Sequence, residues 1–169
     1  TLTVDRGPQN VARGLRDPPL HPPPPVPLVA RLPERELVDD APAARRWSRD
    51  AGLLAAAQQV GLGAAAVAMA VDYAKERHQF GKPIGSFQSI KHLLADAYTA
   101  IELARVAVQA AGVVIDEGVP DGDATRAVAS ARLVASRASH VATTTSIQVH
   151  GGMGYTWELD AHLLLKRVM

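Results

Sequence analysis

Three stretches of this chain repeat small apolar residues at alternating steps of four and three, the spacing that gathers side chains on one face of an α-helix. In the first, Leu53, Ala57, Val60, Ala64, Val67, Val71 and Ala74 share a face, which predicts a helix of roughly thirty residues from near Ala43. In the second, Ile90, Leu94, Ala97, Ile101, Ala104, Val108, Ala111 and Ile115 do so, with Ser86 placed as N-cap and Gly118 and Pro120 as the stop. The third starts near Asp121 or Asp123, aligns Ala124, Ala127, Ala131, Val134, Ala138, Val141, Thr145 and Gln148, and runs to Gly151. Thr156 is placed to cap a fourth helix through Leu159, Leu163 and Lys166, which Met169 cuts short. The expected fold class is all-α: an up-and-down four-helix bundle with a truncated last helix.

Gly61 and Gly63 interrupt the first helix, each costing about 1 kcal/mol against alanine. Close approach of a neighbouring helix is the expected compensation. Aromatic residues make up only 4% of the chain, so a lone bundle buries little area per residue, and a partner subunit or further domain is expected. Of the 12 prolines, all but Pro83 and Pro120 precede residue 43, with residues 22–25 an unbroken row. Residues 1–42 are therefore expected to be a Pro-rich irregular segment or linker, with polyproline II near residues 21–27 and a short strand at residues 1–6. Residues 43–169 form the bundle.

Charge narrows the function. With 18 basic and 17 acidic residues and no basic cluster, nothing resembles a nucleic-acid footprint. The absence of cysteine removes disulfides, thiolate metal sites and cysteine nucleophiles. His78, His92, His140, His150 and His162 lack partners at metal-ligand spacing, so no metal is expected, and they are assigned to the surface or to helix ends. No apolar run is expected to span a bilayer and no secretory signal opens the chain, which points to a cytoplasmic protein without membrane contact.

Two segments carry chemistry. Where the first helix ends, Arg77, Gln79, Phe80, Gly81, Lys82 and Pro83 set a guanidinium and an aromatic ring beside a tight turn. An isolated arginine there has an ordinary role, completing the helix dipole. With the ring and the turn it also makes a platform for a planar anionic ligand, since the guanidinium fork gives a pyrophosphate two hydrogen bonds at once. Where the third helix ends, Gln148 is followed by Gly151, Gly152 and Gly154. An amide satisfying a helix end and ordinary loop glycines account for these separately. Together they let a backbone approach phosphates closely.

The run Arg77-His78-Gln79-Phe80-Gly81-Lys82-Pro83-Ile84 with Phe87-Gln88, and the run Gln148-Val149-His150-Gly151-Gly152-Met153-Gly154-Tyr155-Thr156-Trp157-Glu158, resemble the two signature segments of the carboxyl-terminal domain of acyl-CoA dehydrogenases. The resemblance implies a flavoprotein that oxidises an acyl-CoA to its enoyl form, with FAD as cofactor lying between subunits. It implies that Arg77, Gln79 and Phe80 meet the FAD pyrophosphate and adenosine end, with Ile84, Phe87 and Gln88 nearby. Gln148, Gly151 and Gly152 would reach the same cofactor from the partner. A homo-oligomer, or a hetero-oligomer with another acyl-CoA dehydrogenase subunit, and electron-transfer flavoprotein are the implied partners. The Gly154-Tyr155-Thr156-Trp157-Glu158 form is similar to the bacterial branch that builds mixed tetramers and handles steroid or bulky acyl groups.

Such a reaction needs a carboxylate to take the α-proton. In the family this glutamate lies either beyond the glycine-rich motif or near the start of the first long helix, where the matching position here is Ala51. The catalytic base is therefore unassigned. Asp50 and Glu158 are weak candidates: one step along a helix turns a side chain by about 100°, and acids near helix starts ordinarily serve the dipole. The chain is accordingly expected to be a fragment, a truncated reading frame or half of a split enzyme. Two other readings fit the same residues: a non-catalytic FAD-binding subunit of a mixed complex, and an inactive helical interaction module.

Overall fold

The computed structural model describes residues 41–169, and the readings made for residues 1–40 lie outside them. Four α-helices follow one another: α1 Ala41–Glu76, α2 Gln88–Asp116, α3 Asp121–His150 and α4 Ala161–Val168. Between α1 and α2 the chain forms an antiparallel hairpin, β1 His78–Gln79 against β2 Lys82–Pro83, and a 3-10 turn at Ile84–Ser86. A second 3-10 segment, Gly151–Tyr155, precedes α4.

The helix ends differ from the sequence expectations in instructive ways. α1 takes in Ala41 and Pro42, because a proline's fixed φ and missing N–H are tolerated in a first turn. Ser86 does not cap α2: its hydroxyl donates to the Pro83 carbonyl at 2.7 Å, and Phe87 holds the N-cap position. Thr156 does not cap α4 either. Its hydroxyl donates to the Met153 carbonyl at 2.9 Å, closing the 3-10 segment, and α4 starts only after Asp160.

Packing fixes the helix directions. Gly52 faces Val128 and Arg132, Gly63 faces Ser139, and Ala74 shares a cluster with Val149, so α1 and α3 run parallel. Gly63 also faces Ile101, Leu53 approaches Gly112, and Ala74 clusters with Ile90 and Leu94, so α2 runs the opposite way. The bundle is up, down, up, with α4 folding back onto α3 and α1.

The core consists mainly of small side chains. Ala56, Val60 and Val67 of α1 meet Ala97, Ile101 and Ala104 of α2 and Ala135, Ala138 and Ala142 of α3. The α2 face matches its periodicity. On α1 only Val60, Val67 and Ala74 of the expected face are fully buried, beside Gly52, Ala56, Gly63, Ala66 and Ala70. On α3 the expected stripe slips: Val134, Val141 and Gln148 are exposed, while Val128, Ala135 and Ala142 are buried. The physical reason is interaxial distance. Where helices approach this closely, alanine and glycine lie innermost and the valines beside them turn outward. Polar residues join this core by bonding back to their own helix, as Thr143 does to the Ser139 carbonyl at 2.8 Å.

Of the two interior glycines, only Gly63 has the expected close neighbour. A Cβ there would lie 2.3 Å from Ile101 Cδ1 and 3.2 Å from Ser139 Cα, whereas one on Gly61 meets nothing within 4 Å. The expectation that no run could span a bilayer also needs correction, because α1 and α2 are long and apolar enough to do so. Alanine makes these helices apolar, and one face of each packs in the bundle described above.

Candidate functional site

The hairpin after α1 has a two-residue turn with Gln79 paired to Lys82. Both central residues have positive φ, 54° for Phe80 and 78° for Gly81, so the turn is of type I′. Glycine suits that conformation and asparagine tolerates it, but phenylalanine does not. Phe80 is held there with its ring 91% exposed. The Phe87 ring stands edge-on to it at 6.1 Å between centroids, and the Lys82 ammonium sits 4.4 Å from the Phe87 centroid. Strain that displays an apolar ring to solvent serves no purpose in the chain's own packing. Phe80→Asn is therefore expected to raise unfolding free energy by about 1 kcal/mol in chemical denaturation. A destabilised variant would contradict the strain argument.

Arg77 lies at the base of this hairpin. Its carbonyl accepts from the Ile84 N–H at 2.7 Å, which closes the loop, while its side chain is exposed. Among the described residues no carboxylate pairs with it. Ile84 packs against Ala70 and Ala74, so it supports the loop rather than presenting a surface. Gln79 turns its amide back to the His78 carbonyl at 2.8 Å, and Gln88 opens α2, exposed.

The second motif sits at the same end of the bundle. Tyr73, one turn before Arg77, stacks on His150 with 4.5 Å between centroids, and its hydroxyl donates to Met153 Sδ at 3.7 Å. His150 Nδ1 bonds the Ser146 carbonyl at 2.7 Å, which fixes the ring. His150, the last residue of α3, and His162, in the first turn of α4, lie at helix ends as expected, but both are buried rather than solvated. Periodicity alone hides Tyr73 and His150. The signal available was a single aromatic one turn ahead of Arg77 in a run of alanines.

Gln148 is exposed, so its amide is free of the core. The glycines that follow divide into two kinds. At Gly154 a Cβ would meet the Ile147 carbonyl oxygen at 2.9 Å, so the chain's own packing requires glycine there. At Gly152 a Cβ meets nothing within 4 Å and φ is not positive. Gly151 has open space too, but its φ of 61° with ψ of −135° is a glycine conformation. The cradle above Gly151 and Gly152 is thus open, at the same end of the bundle as Arg77 and Phe80. Those donors and that apolar surface suit a ligand with a pyrophosphate and a planar ring.

The two weak acid candidates lie elsewhere. Asp50 accepts from Arg49 Nε at 2.9 Å, and Arg49 also bridges to Asp121 at 3.1 Å, which ties the start of α1 to the start of α3. Counted along α1, Asp50 is about 40 Å from Arg77. Glu158, expected in the first turn of the last helix, is an exposed residue of the connection before α4.

A model of the carboxyl-terminal domain of acyl-CoA dehydrogenases matches residues 50–169. The chain is 45% identical over 117 residues to the acyl-CoA dehydrogenase IpdE2 of Mycobacterium tuberculosis, covering 69% of this chain and 34% of that protein. The structure of butyryl-CoA dehydrogenase from Megasphaera elsdenii superposes with a TM-score of 0.70 at 38% identity, covering 74% of this chain and 32% of that one. The ChsE4-ChsE5 complex from Mycobacterium tuberculosis superposes with a TM-score of 0.71 at 30% identity, covering 76% and 34%. The chain spans about a third of the length of the relatives it matches.

Proposed function

The chain belongs to the acyl-CoA dehydrogenase family, and from that premise we propose that it supplies the FAD-gripping end of an enzyme that desaturates an acyl-CoA thioester between its α and β carbons. The observation that carries this reading is the open cradle at Gly151 and Gly152, at the end of the bundle that bears the unpaired Arg77 and the strained Phe80. Arg77 would bind the pyrophosphate through its fork and Phe80 would cover the adenosine from one subunit, while the Gln148 amide and the open backbone at Gly151 and Gly152 would reach the same cofactor from its partner. Ile84 and Phe87 act beneath them as supports, and Gln88 and Gln79 line the margin. Bound FAD supplies the hydride acceptor.

No residue of this chain is given the proton-abstracting role. Asp50 is engaged with Arg49, Glu158 is a solvated loop acid, and the family's helix position is Ala51. The base comes from another segment or subunit. The likeness to the ChsE4-ChsE5 complex and the Gly154-Tyr155-Thr156-Trp157-Glu158 form support a mixed assembly acting on bulky or steroid acyl groups. We further propose a cytoplasmic location, with electron-transfer flavoprotein as electron acceptor.

The reading is tested by combining the chain with the rest of its enzyme and FAD, then adding acyl-CoA. Bleaching of the flavin with formation of enoyl-CoA is expected, and Asp50→Asn and Glu158→Gln are expected to leave that rate within about twofold of the parent. A flavin that binds but never bleaches would favour the second reading, a non-catalytic FAD-binding subunit, which the missing base also motivates.

A further inference from the structure

The 3-10 segment Gly151–Tyr155 is fastened at its flanks and bare in between. At the α3 end, the Gly151 N–H donates to the Ile147 and Gln148 carbonyls, and Gly154 lies so close to Ile147 that it admits no Cβ. Toward α4, the Thr156 N–H and hydroxyl both donate to the Met153 carbonyl, at 3.1 and 2.9 Å. From α1 the fastening is Tyr73, whose hydroxyl donates to Met153 Sδ and whose ring stacks on His150. Gly151 and Gly152, the residues with open space above them, are also those least able to hold a fixed course by themselves.

Tyr73 is tied to the first motif as well. Its carbonyl accepts from the Arg77 N–H at 2.9 Å, and its ring packs with Ala70, Ala74 and Val149, the cluster that also seats Ile84 beneath the hairpin. The ring it stacks on is fixed in turn. His150 is 4% exposed, and its Nδ1 carries the proton, because the Ser146 carbonyl 2.7 Å away can only accept.

We propose that Tyr73 and His150 are positioning residues for the flavin cradle: without touching the cofactor, they hold the Gly151–Gly152 backbone in its receiving shape before the cofactor arrives. This rests on the flavin reading above and adds to it what keeps the cradle in shape. A site built from glycine backbone loses affinity in proportion to the unproductive shapes it can visit, and a brace from a neighbouring helix removes them. The brace stands on α1, one turn before Arg77, so the same contact keeps the second motif in register with the helix that carries the first.

The test is a titration of the full chain with FAD beside amide hydrogen exchange read residue by residue. Tyr73→Leu keeps an apolar side chain against Ala70, Ala74 and Val149 but loses the ring and the hydroxyl. Its dissociation constant for FAD should rise about 10-fold, the loss of one aromatic pair. The Gly151 and Thr156 amides should exchange about 10-fold faster, while those of Ile101 and Ala135 in the core keep their protection. Tyr73→Phe, which retains the stack, should recover most of both effects. His150→Leu removes the stack from the other side and should repeat the Tyr73→Leu result, which covers a failure of either variant to fold.

FAD binding by Tyr73→Leu and His150→Leu equal to that of the parent overturns the proposal. Weakened binding with unchanged exchange at Gly151 and Thr156 also overturns it, since Tyr73 would then be a direct contact of the cofactor. Exchange that rises equally through the core would reduce the pair to general packing and overturn it too. A parent chain that binds no FAD is a separate outcome: it sinks the flavin reading itself, and this role with it.

Discussion

Gly63→Ala is expected to destabilise the bundle by roughly 2 kcal/mol, although alanine is the better helix former by about 1 kcal/mol. The added methyl would sit 2.3 Å from Ile101 Cδ1 and 3.2 Å from the α3 backbone at Ser139. Ile101 is 1% exposed in a close-packed core, so turning its Cδ1 aside would press on its own neighbours, and the Ser139 backbone cannot turn aside at all. Relief therefore requires the three helices to separate at their crossing, which loosens the alanine contacts on either side. Gly61→Ala provides the control, since its Cβ meets nothing within 4 Å and only the propensity gain remains. Urea denaturation of the two variants should give shifts of opposite sign. If Gly63→Ala is as stable as Gly61→Ala, the close crossing of α1 with α2 and α3 is wrong.

Gly152→Val should separate stability from function in the other direction. Nothing in the chain opposes a side chain at residue 152, so the melting temperature should move by no more than about 2 °C. The valine would instead fill the cradle beside Gly151, and FAD affinity should fall about 100-fold, close to 3 kcal/mol. Gly154→Ala, two residues on, is expected to behave oppositely. Its Cβ would strike the Ile147 carbonyl oxygen at 2.9 Å and shift the 3-10 segment against α3. Calorimetric titration with FAD alongside thermal melts of both variants checks the pair. A Gly152→Val chain that binds FAD like the parent would show that the cradle has no ligand.

The helices were legible because their periodicity is long and uninterrupted, and α2 matched position for position. The α3 face is only half legible: Ala124, Ala131 and Ala138 of the expected stripe are buried, but two seams of similar apolarity run side by side, one through Val134 and Val141 and one through Ala135 and Ala142. Side-chain hydrophobicity favours the first, but the interaxial distance set by Gly63 and Ala56 selects the second. Hydroxyl caps were misplaced for a related reason. Ser86 and Thr156 bond carbonyls three residues back, closing 3-10 turns, where sequence spacing suggested helix starts.

At the site, the motifs could be read as two ligand-facing segments, but not how they are held. The Tyr73 to His150 stack joins residues far apart in sequence, and only the parallel course of α1 and α3 brings them together. Nor could the strain at Phe80 be read from residue types, since a phenylalanine before a glycine does not announce a type I′ turn.

The most direct test of the central claim is a titration of the folded chain with FAD, followed by flavin fluorescence and by co-elution of the visible absorbance. Saturable binding by the parent chain is expected, weakened about 100-fold in Arg77→Ala and less in Arg77→Lys, which keeps the charge and loses the fork. Absence of saturable binding, or binding that is the same in Arg77→Ala as in the parent, would contradict it.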